Sequence, residues 1–473
     1  MHDSVSAVRN RLLAVFTVIA SFCVPATAGL AERITEIVGS ARKDAYAIHI
    51  LQPDTGTVVF SYNARSPLIP ASNMKLITTA AALKYLGPLF QYETPVMLSG
   101  NTLVIVGSGD PLLGDPVNDA RYGRADGWLP ADIVARIEDR GVEEVNDIIV
   151  DTTVFDDVRV HPNWLPSDLN RWYACEVCGL NYHANCIEVT TRTVGGQVFI
   201  SFEPQTSFIE MINDVQPITE GKSAVGAYRN RQPNRITIRG TCKDRQGPFD
   251  VAIEKPAAMF GYIVAEHLVE AGIGVRGQLI EGVFDRGDPE VEIARYTTPL
   301  ADCLRRANKD SLGLVAEALL KTIAARNNPD GKNGTWEQGR ELVAQYLSEL
   351  GVDSDEYRLD DGSGLSDENR LSAHAIAAVL LDIYRGGNWE LFQTSLAIGG
   401  EDGTVERYFQ QEKYHANILA KTGYITGVRA LSGIAFTDNG PYLFSILSNR
   451  SSMSRATING VAAAIIDSFS TDD

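Results

Sequence analysis

Ser72 stands three residues before Lys75 at the head of the apolar, alanine-rich run ASNMKLITTAAAL. A serine hydroxyl becomes a nucleophile when a neighbour takes its proton, and a lysine can do this only as the free amine. Burial and nearby positive charge are what lower a lysine pKa that far. The same spacing also fits an ordinary helix terminus, so the pair carries weight only with partners elsewhere. The first partner to look for is a second cation, which would keep Lys75 unprotonated and attract a substrate carboxylate. Lys421, Thr422 and Gly423 spell K-T-G between two strand-like runs. On a strand edge Lys421 and Thr422 would face a site, and Gly423 would let a substrate backbone lie close.

Elements must place these residues. A helix over 30–43 leads into YAIHILQ, and the turn P-D-T-G separates it from TVVFSYN, which reads as a hairpin. Pro67 and Pro70 precede Ser72, and Asn73 to Leu86 has a helical pattern stopped by Gly87-Pro88. Ser72 therefore falls at a helix N-terminus, with Lys75 one turn on and on the same face. From 93 to 285 the runs TLVIVG, NDIIVD, GGQVFISFEP and RITIRG alternate with glycine-bearing turns, and a helix is expected over 258–272. Helical patterns return in LADCLRRANKDSLGLVAEALLKTIA, WEQGRELVAQYLSELG and SAHAIAAVLLDIYRG. Three strand-like runs and a closing helix, SRATINGVAAAIIDSF, end the chain. The order predicts one α/β domain split in sequence, 29–92 with 286–473. The mostly β region inserted at 93–285 would form one or two small domains.

At 473 residues the chain is long enough for two or three domains. Its net charge of −18 and the lack of a basic stripe argue against a nucleic-acid partner. Residues 1–28 read as an export signal: Arg9 and Arg11, the apolar run LLAVFTVIASFCV, then Ala26-Thr27-Ala28 before Gly29. The run is short for a membrane span. The mature chain is expected to begin near Gly29, periplasmic or otherwise extracytoplasmic, soluble or only loosely membrane-associated.

Five cysteines follow the signal. Cys175, Cys178 and Cys186 form, with His183, the pattern C-x2-C-x4-H-x2-C. Three readings stand open: a zinc site, a disulfide, which export favours, or buried free thiols.

Ser-x-x-Lys upstream and Lys-Thr-Gly downstream together make the signature of serine acyl-transferring enzymes that bind penicillin and cleave D-alanyl peptides. The chain resembles, over nearly all its mature length, the D-alanyl-D-alanine carboxypeptidase/endopeptidase family of class C low-molecular-weight penicillin-binding proteins, the peptidase S13 group. The resemblance rests on PASNMKLITTAAAL, VGSGDPLL, NDIIVDTTVFD, ANKDSLGLVAEALL, LDDGSGLSDENRLS, SLAIGGEDGTVERYF and AKTGYITGVRALSG, in that order. It implies a serine β-lactamase/penicillin-binding-protein-like fold.

The resemblance implies that Ser72 is the nucleophile, Lys75 its base and Ser311 a proton relay. It gives Lys421, Thr422 and Gly423 the substrate, and the backbone N–H groups of Ser72 and Tyr424 the oxyanion hole. Peptidoglycan stem peptides are the implied substrates and β-lactams the implied covalent inhibitors, with no cofactor. Asp361, Ser363 and Asp402 fall in turn-rich segments and read as structural. Two positions depart from the family pattern: Gly313 stands where an asparagine holds the lysine and the substrate amide, and Tyr424 replaces a threonine. Glycine at 313 leaves open an impaired enzyme that binds peptidoglycan without turnover. No carboxylate dedicated to deacylation is evident, which disfavours a β-lactamase. Carboxypeptidase and endopeptidase activity are not separated by sequence.

Overall fold

The computed structural model describes residues 29–39, 45–284, 290–450 and 453–470. The expected export signal at 1–28 and residues 40–43 of the helix expected over 30–43 lie outside them; the helix runs over 29–38.

A six-stranded antiparallel sheet organises the first body. Its order is Ala397–Ile398, Ile418–Ile425, Val428–Thr437, Gly440–Asn449, Tyr46–Gln52, Thr57–Tyr62. The front hairpin is thus the far edge of a sheet begun by the chain's end, with Tyr46 opposite Ser448 and Leu51 opposite Leu443. Side chains alternate across a strand, and the inner strands of this sheet are buried on both faces. Tyr46, Ile48 and Ile50 pack with the helix 29–38 and with Arg455–Phe469, whereas Ala47 and Leu51 face the core built by the helices Ala373–Arg385, Met74–Leu86 and Gly313–Asn327. Full burial of each large aliphatic side chain contributes about 1.5–3 kcal/mol.

The last two helices are buried almost all round: Met74 to Leu83 and Gly313 to Ala325 are continuously buried. A helix with no solvent face belongs to the core, and alanines let the pair approach closely. Ionisable residues inside such helices (Lys75, Glu317, Lys321) therefore need partners or a purpose.

The sequence LADCL…KTIA read as one helical pattern. It forms two helices, Leu300–Asn308 and Gly313–Asn327. Ser311 lies between them at φ 63, a left-handed conformation that a continuous helix cannot contain.

Among the described residues there are three further sheets of three or more strands. One is five-stranded, ordered Leu279–Glu281, Ile148–Asp151, Thr102–Val106, Gln91–Ser99, Glu290–Pro299. The strand Glu290–Pro299, which the sequence assigned to the region after the insertion, pairs with Gln91–Ser99 along nine matched positions from Glu290–Ser99 to Pro299–Gln91. This sheet therefore extends past both sequence-expected edges, because the chain returns beside the strand by which it left. Helices Trp128–Glu138 and Pro256–Glu270 pack with it. Two three-stranded sheets complete the region: Ala224–Arg229, Arg235–Cys242, Glu210–Pro217, and Arg245–Ala252, Cys186–Val194, Gln197–Glu203.

Candidate active site

Ser72 lies in a 3-10 turn, Ala71–Asn73, that runs into the helix Met74–Leu86. Ala71 has φ 46, and strain of this kind in a non-glycine residue gathers at functional positions. The turn aims Ser72 at Lys75, whose Nζ lies 3.1 Å from Ser72 Oγ and donates to the Ser363 carbonyl at 2.9 Å. Burial lowers the Lys75 pKa to about 8, while the carboxylates of Glu317 and Asp361 pull it back upward. Desolvation is thus the main cause, ahead of any neighbouring positive charge.

The strand Ile418–Ile425 supplies the opposite wall. The two-residue strand Ala397–Ile398 covers only Leu419 and Ala420, so the strand is a free edge from Lys421 onward. Lys421 is fully buried, and its Nζ donates to Ser311 Oγ at 2.8 Å and to the Thr422 carbonyl at 2.9 Å. Its pKa is held well below the ordinary value, by burial first and then by Lys75. Gly423 is required by approach: a Cβ there would stand 2.7 Å from the Pro70 carbonyl oxygen. Nucleophile turn and strand edge are therefore in contact. Asn73 joins them as well, donating to the Lys421 carbonyl at 3.0 Å while its amide oxygen accepts from the Ser432 hydroxyl at 2.7 Å. Arg455 donates to the Gly423 carbonyl at 3.2 Å and secures the strand from the far side.

Ser72, Lys75, Ser311, Lys421 and Gly423 thus converge from three elements. Thr422 lies beside Lys421, 9 % exposed. Tyr424 follows at the rim with its side chain 61 % exposed and the Arg429 guanidinium 5.0 Å from the ring centre. The ring is turned to solvent.

Gly313 opens its helix close to the inserted region. A Cβ at that position would meet the Tyr173 carbonyl oxygen at 3.2 Å and Ser363 Oγ at 3.9 Å. Space for a side chain is therefore already partly taken.

The loop 360–366 is the feature that sequence reasoning undervalued. Asp361 accepts from Gly364 N–H and Ser366 N–H at 2.7 Å each, from Asn369 at 2.8 Å and from Trp164 Nε1 at 2.9 Å. This is the structural work the sequence suggested for it. Ser363, read likewise as structural, gives its carbonyl to Lys75. Glu317 was missed; a lone acid in the apolar run LGLVAEALL was the available signal. Asp402 accepts from Ile398 N–H at 2.8 Å and pairs with Lys309, which braces the segment before Ser311.

The cysteine cluster does not form a ligand set. Cys175 and Cys186 belong to the core beneath the site and Cys178 to the core of the inserted region. His183 faces the Cys186 carbonyl through Nδ1, 3.1 Å away, with Nε2 3.5 Å from Asp126. All five cysteines are buried free thiols, and no group of three or more His, Cys, Asp or Glu among the described residues is arranged to hold a metal.

Beside the site a cavity of about 460 Å³ is lined in part by Trp164, Asp168, Leu365, Arg370 and Ile425. Leu365 and Ile425 continue the two segments that hold Lys75 and Lys421. No helix among the described residues is long and apolar enough to cross a membrane.

The family model for D-Ala-D-Ala carboxypeptidase 3 (S13) matches residues 27–467. The D-alanyl-D-alanine carboxypeptidase of Actinomadura sp. (strain R39) is 28 % identical over 429 residues, covering 85 % of this chain and 77 % of that protein. D-alanyl-D-alanine carboxypeptidase DacB of Haemophilus influenzae is 23 % identical, covering 80 % and 79 %. The crystal structure of penicillin binding protein 4 (dacB) from Haemophilus influenzae superposes with a TM-score of 0.75 at 21 % identity, covering 93 % of this chain and 98 % of that one.

Proposed function

The chain belongs to the D-Ala-D-Ala carboxypeptidase 3 (S13) family, and on that premise we propose that it is a penicillin-binding serine peptidase. It cleaves D-alanyl-D-alanine ends, D-alanyl cross-links, or both, in peptidoglycan stem peptides. The observation that carries the reading is the buried Lys75 amine, 3.1 Å from Ser72 Oγ.

In this mechanism Lys75 takes the Ser72 proton as Oγ attacks the carbonyl between two D-alanines. Backbone N–H groups of Ser72 and Tyr424 receive the developing oxyanion. Ser311, hydrogen-bonded to Lys421, relays to the departing amine the proton that Lys75 took from Ser72, which returns Lys75 to the free amine. Lys421 and Thr422 hold the terminal carboxylate of the substrate; its arrival brings a negative charge that favours the protonated form of Lys421. The stem peptide before the scissile bond runs toward the cavity at Leu365 and Ile425. Water then releases the acyl group. β-Lactams enter the first half of this path and leave slowly.

The peptidase chemistry is assigned to 29–92 with 286–473, less the strands Gln91–Ser99 and Glu290–Pro299 that pair into the inserted region, and control of access to the region between. Residues 1–28 direct export, placing the enzyme in the periplasm or another extracytoplasmic space.

Glycine at 313 favours one other reading, a protein that binds muropeptides without turnover. Intact mass after incubation with a penicillin, with Ser72→Ala in parallel, tests both. One β-lactam added to wild type and none to the variant is expected. No adduct on folded wild type at long times and high drug would overturn the enzyme reading, and D-alanine release from a muropeptide would exclude the binder.

A further inference from the structure

Lys75 is held between two acceptors, the Ser72 hydroxyl and the Ser363 carbonyl. Gly313 offers no side chain to add a third. The direction of the Ser363 carbonyl therefore decides where the amine sits. That direction is set from behind. The N–H groups of Gly362 and Ser363 donate to the two oxygens of Glu317, at 2.9 and 2.7 Å. Trp336 Nε1 donates a third hydrogen bond at 2.7 Å. Thr78, one turn beyond Lys75 on its helix, donates to the Gly362 carbonyl at 2.7 Å.

Glu317 is fully buried, one turn along the helix from Gly313. Burial pushes its carboxyl up to about 7, yet its neighbours supply three N–H donors. Donors converging on both oxygens demand an acceptor-only group, which is the ionised carboxylate. An amide in its place would turn an NH2 toward a backbone N–H and leave that donor unmet. A group needed only to fill the core would have no use for this arrangement, since an apolar side chain fills space without the cost of a buried charge.

We propose that Glu317 is a positioning residue for Lys75: its carboxylate anchors the N–H groups of Gly362 and Ser363 and so, together with Asp361, which accepts from Gly364 N–H, fixes the following 363–364 peptide so that the Ser363 carbonyl holds the amine in line with Ser72 Oγ. The proposal rests on the acylation chemistry given above. Its charge acts as well. Lys75 is faced by the carboxylates of Glu317 and Asp361, and it acts in turn on Lys421. Glu317 is faced by Asp361, and it acts on Lys321 from one turn further along its own helix. Removing the Glu317 charge should therefore make Lys75 easier to deprotonate while leaving it worse placed.

The experiment is the second-order rate of acylation by a fluorescent penicillin, followed from pH 6.5 to 9.5, for wild type, Glu317→Gln and Trp336→Phe. Thermal melts report how much of each variant is folded. For Glu317→Gln the high-pH plateau should fall about ten- to a hundredfold, as for a misplaced catalytic group. The midpoint of its rise should move about half a pH unit or more toward acid, as loss of a nearby negative charge requires. Trp336→Phe removes one donor and keeps the ring, and should lower the plateau about two- to fivefold with the midpoint close to wild type. A folded Glu317→Gln with wild-type plateau and midpoint overturns the proposal. So does a lower melting temperature with an unchanged rate profile per folded molecule, which is what a purely structural role gives. If Glu317→Gln does not fold, Trp336→Phe decides: a lowered plateau supports the proposal and a wild-type plateau overturns it. Wild type that never acylates removes the acylation reading itself, a result distinct from either variant outcome.

Discussion

The rate of β-lactam acylation should follow the deprotonation of a single buried lysine, and the structure says where. With a pKa of about 8 in place of 10.5, Lys75 is neutral in roughly one molecule in 11 at pH 7, against roughly one in 3000 for an ordinary lysine. Burial thus raises the supply of base about 300-fold. The rate constant should climb at least tenfold between pH 7 and pH 9, because protonation of Glu317 near pH 7 lowers the starting value further, and then level off. The assay is stopped-flow acylation with a chromogenic cephalosporin in constant-ionic-strength buffers. Ser72→Ala serves as the blank.

The same shift has a signature in stability. A lysine whose folded pKa lies below its unfolded value opposes folding while both states are protonated, so the penalty is complete below about pH 8. Between about 8 and 10.5 the unfolded chain binds more protons than the native one, and stability should rise with pH through that window. The full penalty is about 3 kcal/mol, so Lys75→Met, unable to acylate, should be the more stable protein at pH 7 by denaturant unfolding. A rate that is flat from pH 7 to 9, or that still climbs tenfold per unit at pH 10, would refute the assignment of Lys75 as the base with this pKa.

Two further substitutions test what holds the site. Gly364 has φ +79, and a Cβ there would stand 1.9 Å from the Ala71 carbonyl oxygen. Gly364→Ala should push back the turn that carries Ser72 and slow acylation about a hundredfold, the cost of an ångström-scale misplacement; rate and melting temperature measured together check it. Arg306 makes paired hydrogen bonds of 2.9 Å to each oxygen of Asp115, which is 1 % exposed. Arg306→Ala strands that carboxylate and should cost about 3–5 kcal/mol by denaturant unfolding.

Local spacing was enough to place Ser72 and Lys75 together, because three residues at a helix start put two side chains on one face whatever surrounds them. It was likewise enough for the hairpin, the three closing strands and the final helix, whose periodicities do not depend on partners. The long helical pattern around Ser311 misled for a related reason: composition favours helix throughout, and the left-handed residue that breaks it follows from packing around the site. The five-stranded sheet escaped its expected edges because pairing of Gln91–Ser99 with Glu290–Pro299 joins segments some 200 residues apart in sequence.

The cysteine pattern left a ligand set open, beside a disulfide and free thiols, because spacing counts residues along the chain, whereas a metal counts directions in space. The fold turns Cys178 into a different core from Cys175 and Cys186. What sequence alone determined was therefore the chemistry on offer: a serine, two lysines and a second serine, in order. Only the tertiary structure decided which groups control them. The carbonyl of Ser363, the carboxylate of Glu317 and the closeness of Tyr173 to Gly313 are long-range contacts between buried atoms. They are fixed by how two all-buried helices, one loop and the inserted region pack together, and no local pattern records that.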